Sequence, residues 1–111
     1  MTRPKSEATI LREVLLAVGS RPDCLAIRRS VGTARDPLTG QVLRFGLEGE
    51  ADIEAIVRGG RVVFLECKSA TGTQRPAQRA FQARVESLGA AYRIVRSAEE
   101  AIQAVEEVIA C

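Results

Sequence analysis

Hydrophobic residues repeat at helical spacing in three segments of the chain. The first segment is residues 7–18, where Ser6 is a suitable N-cap and one apolar stripe is formed by Ile10, Leu11, Val14, Leu15 and Val18. The second segment, residues 76–88, begins with a proline suited to a first helical turn and is followed by Gly89, a common helix terminator. A capping box formed by Ser97 and Glu100 predicts a last helix from residue 98 onward.

Apolar and β-branched runs between these segments predict four strands, over residues 24–31, 51–57, 62–68 and 91–95. The second and third runs flank Gly59-Gly60 and predict a hairpin. Because both runs are apolar on both faces, we expect helices to cover each face of the sheet. Residues 32–49 contain several turn signals, and we expect a loop there that includes a small hairpin of its own.

The order of these elements, α-β-β-β-α-β-α, predicts an α/β fold. A strand–helix–strand crossover makes the last two strands parallel, whereas the hairpin strands are antiparallel. We therefore expect a mixed four-stranded sheet flanked by helices. The 111 residues are enough for one core, so we expect a single domain over residues 1–111.

Composition excludes several kinds of chemistry. The sequence has no histidine, which rules out Ser-His-Asp and Cys-His catalysis and histidine–metal sites. The spacing of Cys24, Cys67 and Cys111 fits neither a disulfide framework nor a zinc site, and we expect the Cys67 side chain to be a core residue. No apolar run approaches the roughly 20 residues of a membrane span, and no secretory leader is visible, so we expect a cytoplasmic protein.

The net charge of +2 conceals an uneven distribution of charged residues. All but two of the 16 basic residues are arginines, while residues 97–111 contain four acids and no base. Arginine binds phosphate oxygens in pairs, so the basic body of the chain suits nucleic acid. An ordinary solvated surface can have the same composition, and the charge leaves both interpretations open.

The most informative charges lie at the end of the third predicted strand. Glu66 and Lys68 are two residues apart after an apolar run, so their side chains point to the same face. Charged groups entering a sheet are costly, and proteins accept that cost mainly at functional sites. The alternative is that the strand has ended and the two residues form a surface ion pair.

Strand register decides whether Asp52 can join Glu66. A two-residue Gly59-Gly60 turn would pair Ile53 with Glu66 and place Asp52 opposite Cys67, on the other face. A three-residue loop or a one-residue bulge brings the two carboxylates to one face, and glycine permits either. We predict such an odd loop or bulge.

Glu7 lies in the middle of the apolar stripe of the first predicted helix, whereas Glu13 faces away from it. A carboxylate that points inward is costly unless it is paired or binds a metal. Alternatively, Glu7 reaches solvent from the first turn and interacts favourably with the helix dipole. The sequence leaves both interpretations open.

Asp52 followed by Glu66-Cys67-Lys68 resembles the PD-(D/E)xK nuclease pattern. Over residues 6–108 the chain resembles the virus-type replication-repair nuclease (VRR-NUC) domain. That resemblance depends on Gly49-Glu50-Ala51-Asp52-Ile53, Glu66-Cys67-Lys68-Ser69, Gly72, Gln78 and Tyr92-Arg93-Ile94-Val95-Arg96-Ser97. Ala51 replaces the proline of the pattern's name, at a position that varies widely across such nucleases.

The resemblance implies a restriction-endonuclease-like α-β-β-β-α-β-α core that hydrolyses phosphodiester bonds with Mg²⁺ or Mn²⁺. It implies that Asp52, Glu66 and the Cys67 backbone carbonyl bind the metal, and that Glu7 completes the site either directly or through a water molecule. Such a hard cation prefers oxygen ligands, so carboxylates suffice without histidine. No organic cofactor is expected.

Lys68 and Gln78 complete the catalytic set that the resemblance implies. The Lys68 ammonium would orient the attacking water and stabilise charge on the phosphate oxygens. Gln78 would hydrogen-bond that water or a phosphate. The alternative is that Gln78 is a plain exposed helical residue.

The resemblance further implies a substrate of branched or structured DNA, such as a Holliday junction or a flap, in a bacterial or phage-infected cell. It also implies a homodimer, because cutting two strands symmetrically takes two active sites. The expected phosphate contacts are Arg28, Arg29, Arg35, Arg44, Arg75 and Arg79. Two alternatives stay open: a non-catalytic nucleic-acid-binding module of the same fold, and an RNA-directed nuclease.

Overall fold

The computed structural model describes residues 3–111. Within this range the chain forms, in order, α1 (Glu7–Gly19), β1 (Cys24–Arg28), β2 (Gly32–Arg35), β3 (Val42–Phe45), β4 (Ile53–Val57), β5 (Arg61–Cys67), α2 (Pro76–Ser87), β6 (Ala91–Val95) and α3 (Ala98–Ala110). Every predicted helix and strand is present, and residues 32–49 contain the expected small hairpin, β2–β3.

The principal sheet has the strand order β1-β4-β5-β6. The β1–β4 and β4–β5 pairs are antiparallel, whereas β5 and β6, which are joined through α2, are parallel. The predicted mixed four-stranded sheet is therefore confirmed. β2 and β3 pair with each other as a separate two-stranded sheet, inserted in the chain between β1 and β4.

One face of the principal sheet holds the hydrophobic core. α1 and α3 pack against each other over this face. The buried residues include Val14, Val18, Leu65, Val105 and Val108. They come from the apolar stripes of the two helices and from alternate positions of a strand, so the periodicities of the sequence describe this face correctly.

The opposite face of the sheet is covered only in part. α2 packs against β6, and its Phe81 contacts Phe64 of β5 edge-to-face with ring centroids 5.2 Å apart. Over β1 and β4, Leu25 and Ile56 are exposed. The expectation that helices cover both faces is therefore wrong for the β1–β4 half, because α2 connects β5 to β6 and lies over those two strands.

β1 is shorter than predicted, because it ends at Arg28 rather than at residue 31. Its partner β4 begins at Ile53, opposite Arg28. One further backbone hydrogen bond joins the Arg29 amide to the Asp52 carbonyl at 2.8 Å, and the chain then continues into the β2–β3 hairpin.

The helix ends follow the predicted capping with one difference. Ser6 Oγ accepts from the Thr9 amide and Ser97 Oγ from the Glu100 amide, each at 3.1 Å. The Glu100 carboxylate, however, accepts from the Arg96 amide, one residue before the N-cap, so the reciprocal bond of the predicted capping box is displaced.

No helix within residues 3–111 is long and apolar enough to cross a membrane.

Gly49 offers a test of how tightly the loop before β4 packs on α2. Its φ is +80°, and a Cβ there would overlap the backbone carbonyl of Ala77 in α2. Gly59 has a φ of +95° with open space around it. We expect Gly59→Ala to lower the free energy of unfolding by about 1 kcal/mol, the cost of a left-handed alanine. We expect Gly49→Ala to cost at least about twice as much, because strain and overlap add.

Chemical unfolding followed by circular dichroism measures both variants. Gly59→Ala is the matched control, since it reports the cost of the backbone conformation without the steric overlap. Equal losses in the two variants would contradict close packing of Gly49 against α2.

Candidate metal-binding site

The β4–β5 hairpin has the odd loop that the site requires. Val57 pairs with Arg61, which leaves a three-residue loop, and at the other end of the ladder Ile53 pairs with Leu65. Continuing this register by one step brings Asp52 opposite Glu66, on the same face. The predicted odd loop is confirmed, and the two carboxylates converge.

Asp52 is fixed by a backbone hydrogen bond. Its Oδ2 accepts from the Cys67 amide at 2.8 Å, across the end of the hairpin. Burial raises the pKa of the Asp52 carboxyl above its ordinary value, although the Cys67 hydrogen bond opposes that rise. The neighbouring Glu7 carboxylate raises the Asp52 pKa further.

Glu7 joins these two residues from the first turn of α1. Carboxylate oxygens of Glu7, Asp52 and Glu66 all lie within 4.8 Å of one another. Glu7 is exposed, so the structure combines the two interpretations left open by the sequence: the side chain reaches solvent, and it also borders the site. Three carboxylates from α1, the approach to β4 and β5 thus face one point.

Glu66 is the most deeply buried of the three acids, with a relative exposure of 1%. Burial, and secondarily repulsion by Asp52, raises the pKa of its carboxyl to about 7. Its Oε2 accepts from Gln78 Nε2 at 2.8 Å and lies 3.5 Å from Lys68 Nζ. Its Oε1 is buried and has no hydrogen-bond partner within residues 3–111.

Lys68 lies beside Glu66 and is also buried, with a relative exposure of 5%. Its Nζ donates to Gln78 Oε1 at 2.9 Å. The alternative interpretation of Glu66 and Lys68 as a surface ion pair is therefore wrong. A buried charged pair pays a desolvation cost that a solvated pair does not, which is the pattern of a functional site.

Gln78 is buried and bridges the two charged residues. Besides its bonds to Glu66 and Lys68, its Oε1 accepts from the Arg75 amide at 2.9 Å, at the start of α2. The alternative of a plain exposed glutamine is wrong. These bonds hold Glu66 and Lys68 in place, and the expected contact of Gln78 with the attacking water or a phosphate stays a prediction.

The residues at this point fit a divalent cation. The side-chain atoms that could ligate a metal here are the carboxylate oxygens of Glu7, Asp52 and Glu66, and Mg²⁺ and Mn²⁺ prefer oxygen ligands. Glu66 Oε1 is buried and lacks a hydrogen-bond partner among the described residues, so it has a lone pair available for a cation. The Cys67 carbonyl as a ligand stays a prediction.

The Cys67 side chain is fully buried in the core, as predicted. Burial raises the pKa of its thiol to about 12, so the thiolate form is strongly disfavoured. This thiol is a packing group and not a nucleophile.

A cavity of about 560 Å³ opens beside the carboxylates and is lined by Glu7, Asp52, Glu66 and Gln78. Of the arginines expected to contact phosphate, Arg28, Arg29 and Arg75 also line it. The three others lie outside this lining and are exposed: Arg79 donates to the Gln74 carbonyl, Arg35 donates to the Gly40 carbonyl, and Arg44 lies on β3. The predicted basic set is therefore divided among the cavity, the β2–β3 hairpin, which holds Arg35 and Arg44, and α2, which holds Arg79.

Arg29 is less free than the sequence indicates. Its Nε lies 3.4 Å from Glu50 Oε2 and 4.0 Å from Glu54 Oε1. The Glu50 side chain is almost fully buried, and its Oε1 has no partner in the part of the chain that the structure describes. Sequence reasoning did not identify Glu50 as a site residue, because only its position in the Gly49–Asp52 motif distinguished it.

Arg96 is a second residue whose role the sequence did not reveal. Its Nη1 donates to the Gly72 carbonyl at 2.9 Å and to the Ser69 carbonyl, so it holds the loop that follows Lys68. The only sequence signal was its place in the closing motif after β6. The parallel pairing of β5 and β6 explains this contact, since it brings the ends of the two strands together.

No protein-family model matches this sequence, and no curated protein matches it either. The resemblance to the nuclease family therefore rests on the motif residues and stays a prediction.

The raised pKa of Glu66 predicts a pH dependence of stability. The folded carboxyl takes up a proton near pH 7, whereas an ordinary glutamate does so near 4.5, so the folded state binds the proton more tightly. Stability should therefore increase as the pH falls from about 7 towards 4.5. We expect the melting temperature in a metal chelator to rise by roughly 5 °C between about pH 8 and about pH 5.5.

Differential scanning fluorimetry at a series of pH values measures this dependence. With no histidine in the chain, no side chain has an ordinary pKa in that interval. Glu66→Gln is the control, and its melting temperature should lose most of the slope. A slope that is unchanged in Glu66→Gln would show that another group is responsible.

Proposed function

We propose that this chain is a Mg²⁺- or Mn²⁺-dependent endonuclease that hydrolyses phosphodiester bonds in branched or otherwise structured DNA. The observation that supports this most is the convergence of Asp52, Glu66 and Glu7 within 4.8 Å of one another, beside the buried Lys68. This set matches the Asp…Glu-x-Lys pattern of the PD-(D/E)xK nucleases.

The arrangement of the elements supports a restriction-endonuclease-like core of VRR-NUC type. Without the inserted hairpin, the chain runs α1, β1, β4, β5, α2, β6, α3, which is the α-β-β-β-α-β-α order of such a core. The acidic residues lie at the open end of the β4–β5 hairpin, and α2 supplies Gln78 from the crossover to the parallel strand.

Asp52, Glu66 and Glu7 would hold the cation, with the Cys67 carbonyl as a further ligand. When bound, such a cation lowers the pKa of a coordinated water and neutralises charge on the phosphate. The residues of the chain keep the ligands in place: the Cys67 amide holds Asp52, and Gln78 holds Glu66.

Lys68 places a positive charge at the same point. Its ammonium lies 3.5 Å from Glu66 and is oriented by Gln78 Oε1. A preoriented ammonium in a site of low water content stabilises negative charge that develops on phosphate oxygens. Arg28 and Arg75 line the same cavity and suit the flanking phosphates of a nucleic-acid strand.

The carboxylates favour catalysis over binding alone. A surface that only bound nucleic acid would place basic groups against the phosphates and would be weakened by three nearby acids. Here the acids are concentrated where the cavity meets the sheet, and one of them is almost wholly buried. Cleavage and binding assays distinguish this function from its two alternatives, a non-catalytic nucleic-acid-binding module and an RNA-directed nuclease.

Three substitutions test the catalytic assignment. Asp52→Asn and Glu66→Gln remove the charge that binds the metal, and Lys68→Met removes the ammonium while keeping the side-chain length. We expect each to lower the cleavage rate by at least about 100-fold, because each removes electrostatic stabilisation of the transition state. Affinity for DNA should change only a few-fold, since most of it comes from arginine–phosphate contacts.

Cleavage is measured on Holliday-junction, flap, linear and RNA substrates of matched length with Mg²⁺ or Mn²⁺, and binding by fluorescence anisotropy. Glu99→Gln, on the exposed surface of α3, is the matched control and should cleave like the parent protein. Binding without cleavage in either metal would favour the non-catalytic module, and cleavage of RNA alone would favour the RNA-directed nuclease. Parental activity in any of the three variants would remove that residue from the mechanism.

We also infer that the chain acts as a homodimer, since symmetric cutting of two strands takes two active sites. Light scattering coupled to size-exclusion chromatography at micromolar concentration should give twice the chain mass of 12.0 kDa. A single-chain mass under these conditions, with activity retained, would contradict the dimer.

A further inference from the structure

The β2–β3 hairpin, with the turn between its strands, forms an arm at the mouth of the candidate site. The arm comprises residues 32–45. The residues at its base belong to the cavity wall, since Ser30 and Val31 precede β2, Glu48 follows β3, and all three line the cavity. The arm therefore begins and ends beside the cavity.

The strands of the arm bury few side chains against the rest of the molecule. Every residue of β3 is exposed, as are all but the first residue of β2. An isolated two-stranded ribbon is marginally stable in water, so contact with a partner would stabilise this one. Leu38, in the turn, has a relative exposure of 94%.

The turn that presents Leu38 is held by a dense set of hydrogen bonds. Asp36 Oδ1 accepts from the Leu38 amide at 2.8 Å and from the Thr39 amide at 3.3 Å. The Gly40 amide donates to the Asp36 carbonyl at 2.8 Å, and Arg35 Nη1 donates to the Gly40 carbonyl at 3.2 Å. Together with Pro37, whose φ is restricted, these bonds fix the turn in a conformation that keeps an apolar side chain in water.

The two faces of the arm differ in chemistry. The cross-strand pairs Thr33–Arg44 and Arg35–Val42 put both arginines on one face. The pairs Gly32–Phe45 and Ala34–Leu43 make the other face apolar, with Leu43 and Phe45 exposed.

Charge favours nucleic acid as the partner of this arm. The carboxylate of Asp36, the one acid in residues 32–45, is engaged by backbone amides of the turn, so the arginine face presents net positive charge. Arginine pairs with the phosphate oxygens of a nucleic-acid backbone. Proteins that bend or open DNA insert leucine or similar apolar side chains between base steps.

We propose that the arm contacts branched DNA, with Arg35 and Arg44 on backbone phosphates and Leu38 inserted into an opened base step at the branch. The proposal rests on the proposed nuclease function and adds a source for its substrate preference. Perfect duplex offers no open step, so Leu38 discriminates branched from linear DNA, whereas the arginines strengthen binding to both.

The test compares Leu38→Ala, the double variant Arg35→Gln/Arg44→Gln and the matched control Leu16→Ala, another exposed leucine on the outer side of α1. Binding to a Holliday junction and to linear duplex is measured by anisotropy with Ca²⁺ in place of Mg²⁺. A 2-aminopurine next to the branch point reports unstacking through its fluorescence, and cleavage by the parent protein is measured in parallel with Mg²⁺ or Mn²⁺.

We expect Leu38→Ala to bind the junction about tenfold more weakly, to bind duplex within about twofold of the parent, and to lose the rise in 2-aminopurine fluorescence. The double arginine variant should weaken binding to both DNAs and reduce the slope of log affinity against log salt by about 2. Leu16→Ala should match the parent in all measurements.

A Leu38→Ala variant that keeps the junction preference and the fluorescence rise would overturn the role of the arm, while cleavage by the parent would leave the nuclease function standing. A parent protein that neither binds nor cleaves any DNA would refute both. Loss of the dimer mass in Leu38→Ala, with equal weakening on junction and duplex, would assign the arm to contact between two copies and overturn the DNA proposal.

Discussion

The geometry of the candidate site depends on one buried carboxylate, that of Glu66. Removing a carboxylate from water is costly, and here Lys68 at 3.5 Å and a hydrogen bond from Gln78 offset only part of that cost. The remainder is visible in the raised pKa of Glu66, about 7, and in its partnerless Oε1. The carboxylates of Asp52 and Glu7 lie within 4.8 Å of the Glu66 carboxylate, so negative charge is concentrated at one point. A fold that maintains such an arrangement gains no stability from it, and a functional origin explains it better.

Two connections in the chain assemble this centre. The three-residue loop between β4 and β5 sets the register that brings Asp52 across from Glu66. The crossover through α2 places Gln78 over the end of β5, where it contacts both Glu66 and Lys68. The parallel strand β6 then brings Arg96 to the loop after Lys68. Each charged residue is thereby held by a group from a different part of the chain, and the geometry depends on the whole sheet more than on any single loop.

The hydrophobic core lies on one face of the principal sheet, and Glu66 points to the opposite face. α1 and α3 bury the apolar side of the sheet, and α2 lies on the other side. The cavity is lined from both sides, by Glu7 and Leu11 of α1 and by Gln78 of α2. The acidic helix α3 packs on the core side of the sheet, so its glutamates are kept apart from the arginines that line the cavity. The buried core therefore supports the strands that position Asp52 and Glu66.

Much of this could be predicted from the order of residues. Helical stripes and strand alternation are short-range periodicities, so the helices, the strands and the core face were found correctly, and parity alone showed that the Gly59-Gly60 connection must be odd for Asp52 and Glu66 to meet. Four features could not be predicted in this way. They are the burial of Lys68, the bridging by Gln78, the contact of Arg96 with the Ser69–Gly72 loop, and the open half of the sheet over Leu25 and Ile56. They depend on where α2 and β6 pack, and that placement is set by the summed contacts of residues far apart in sequence, which no local pattern encodes.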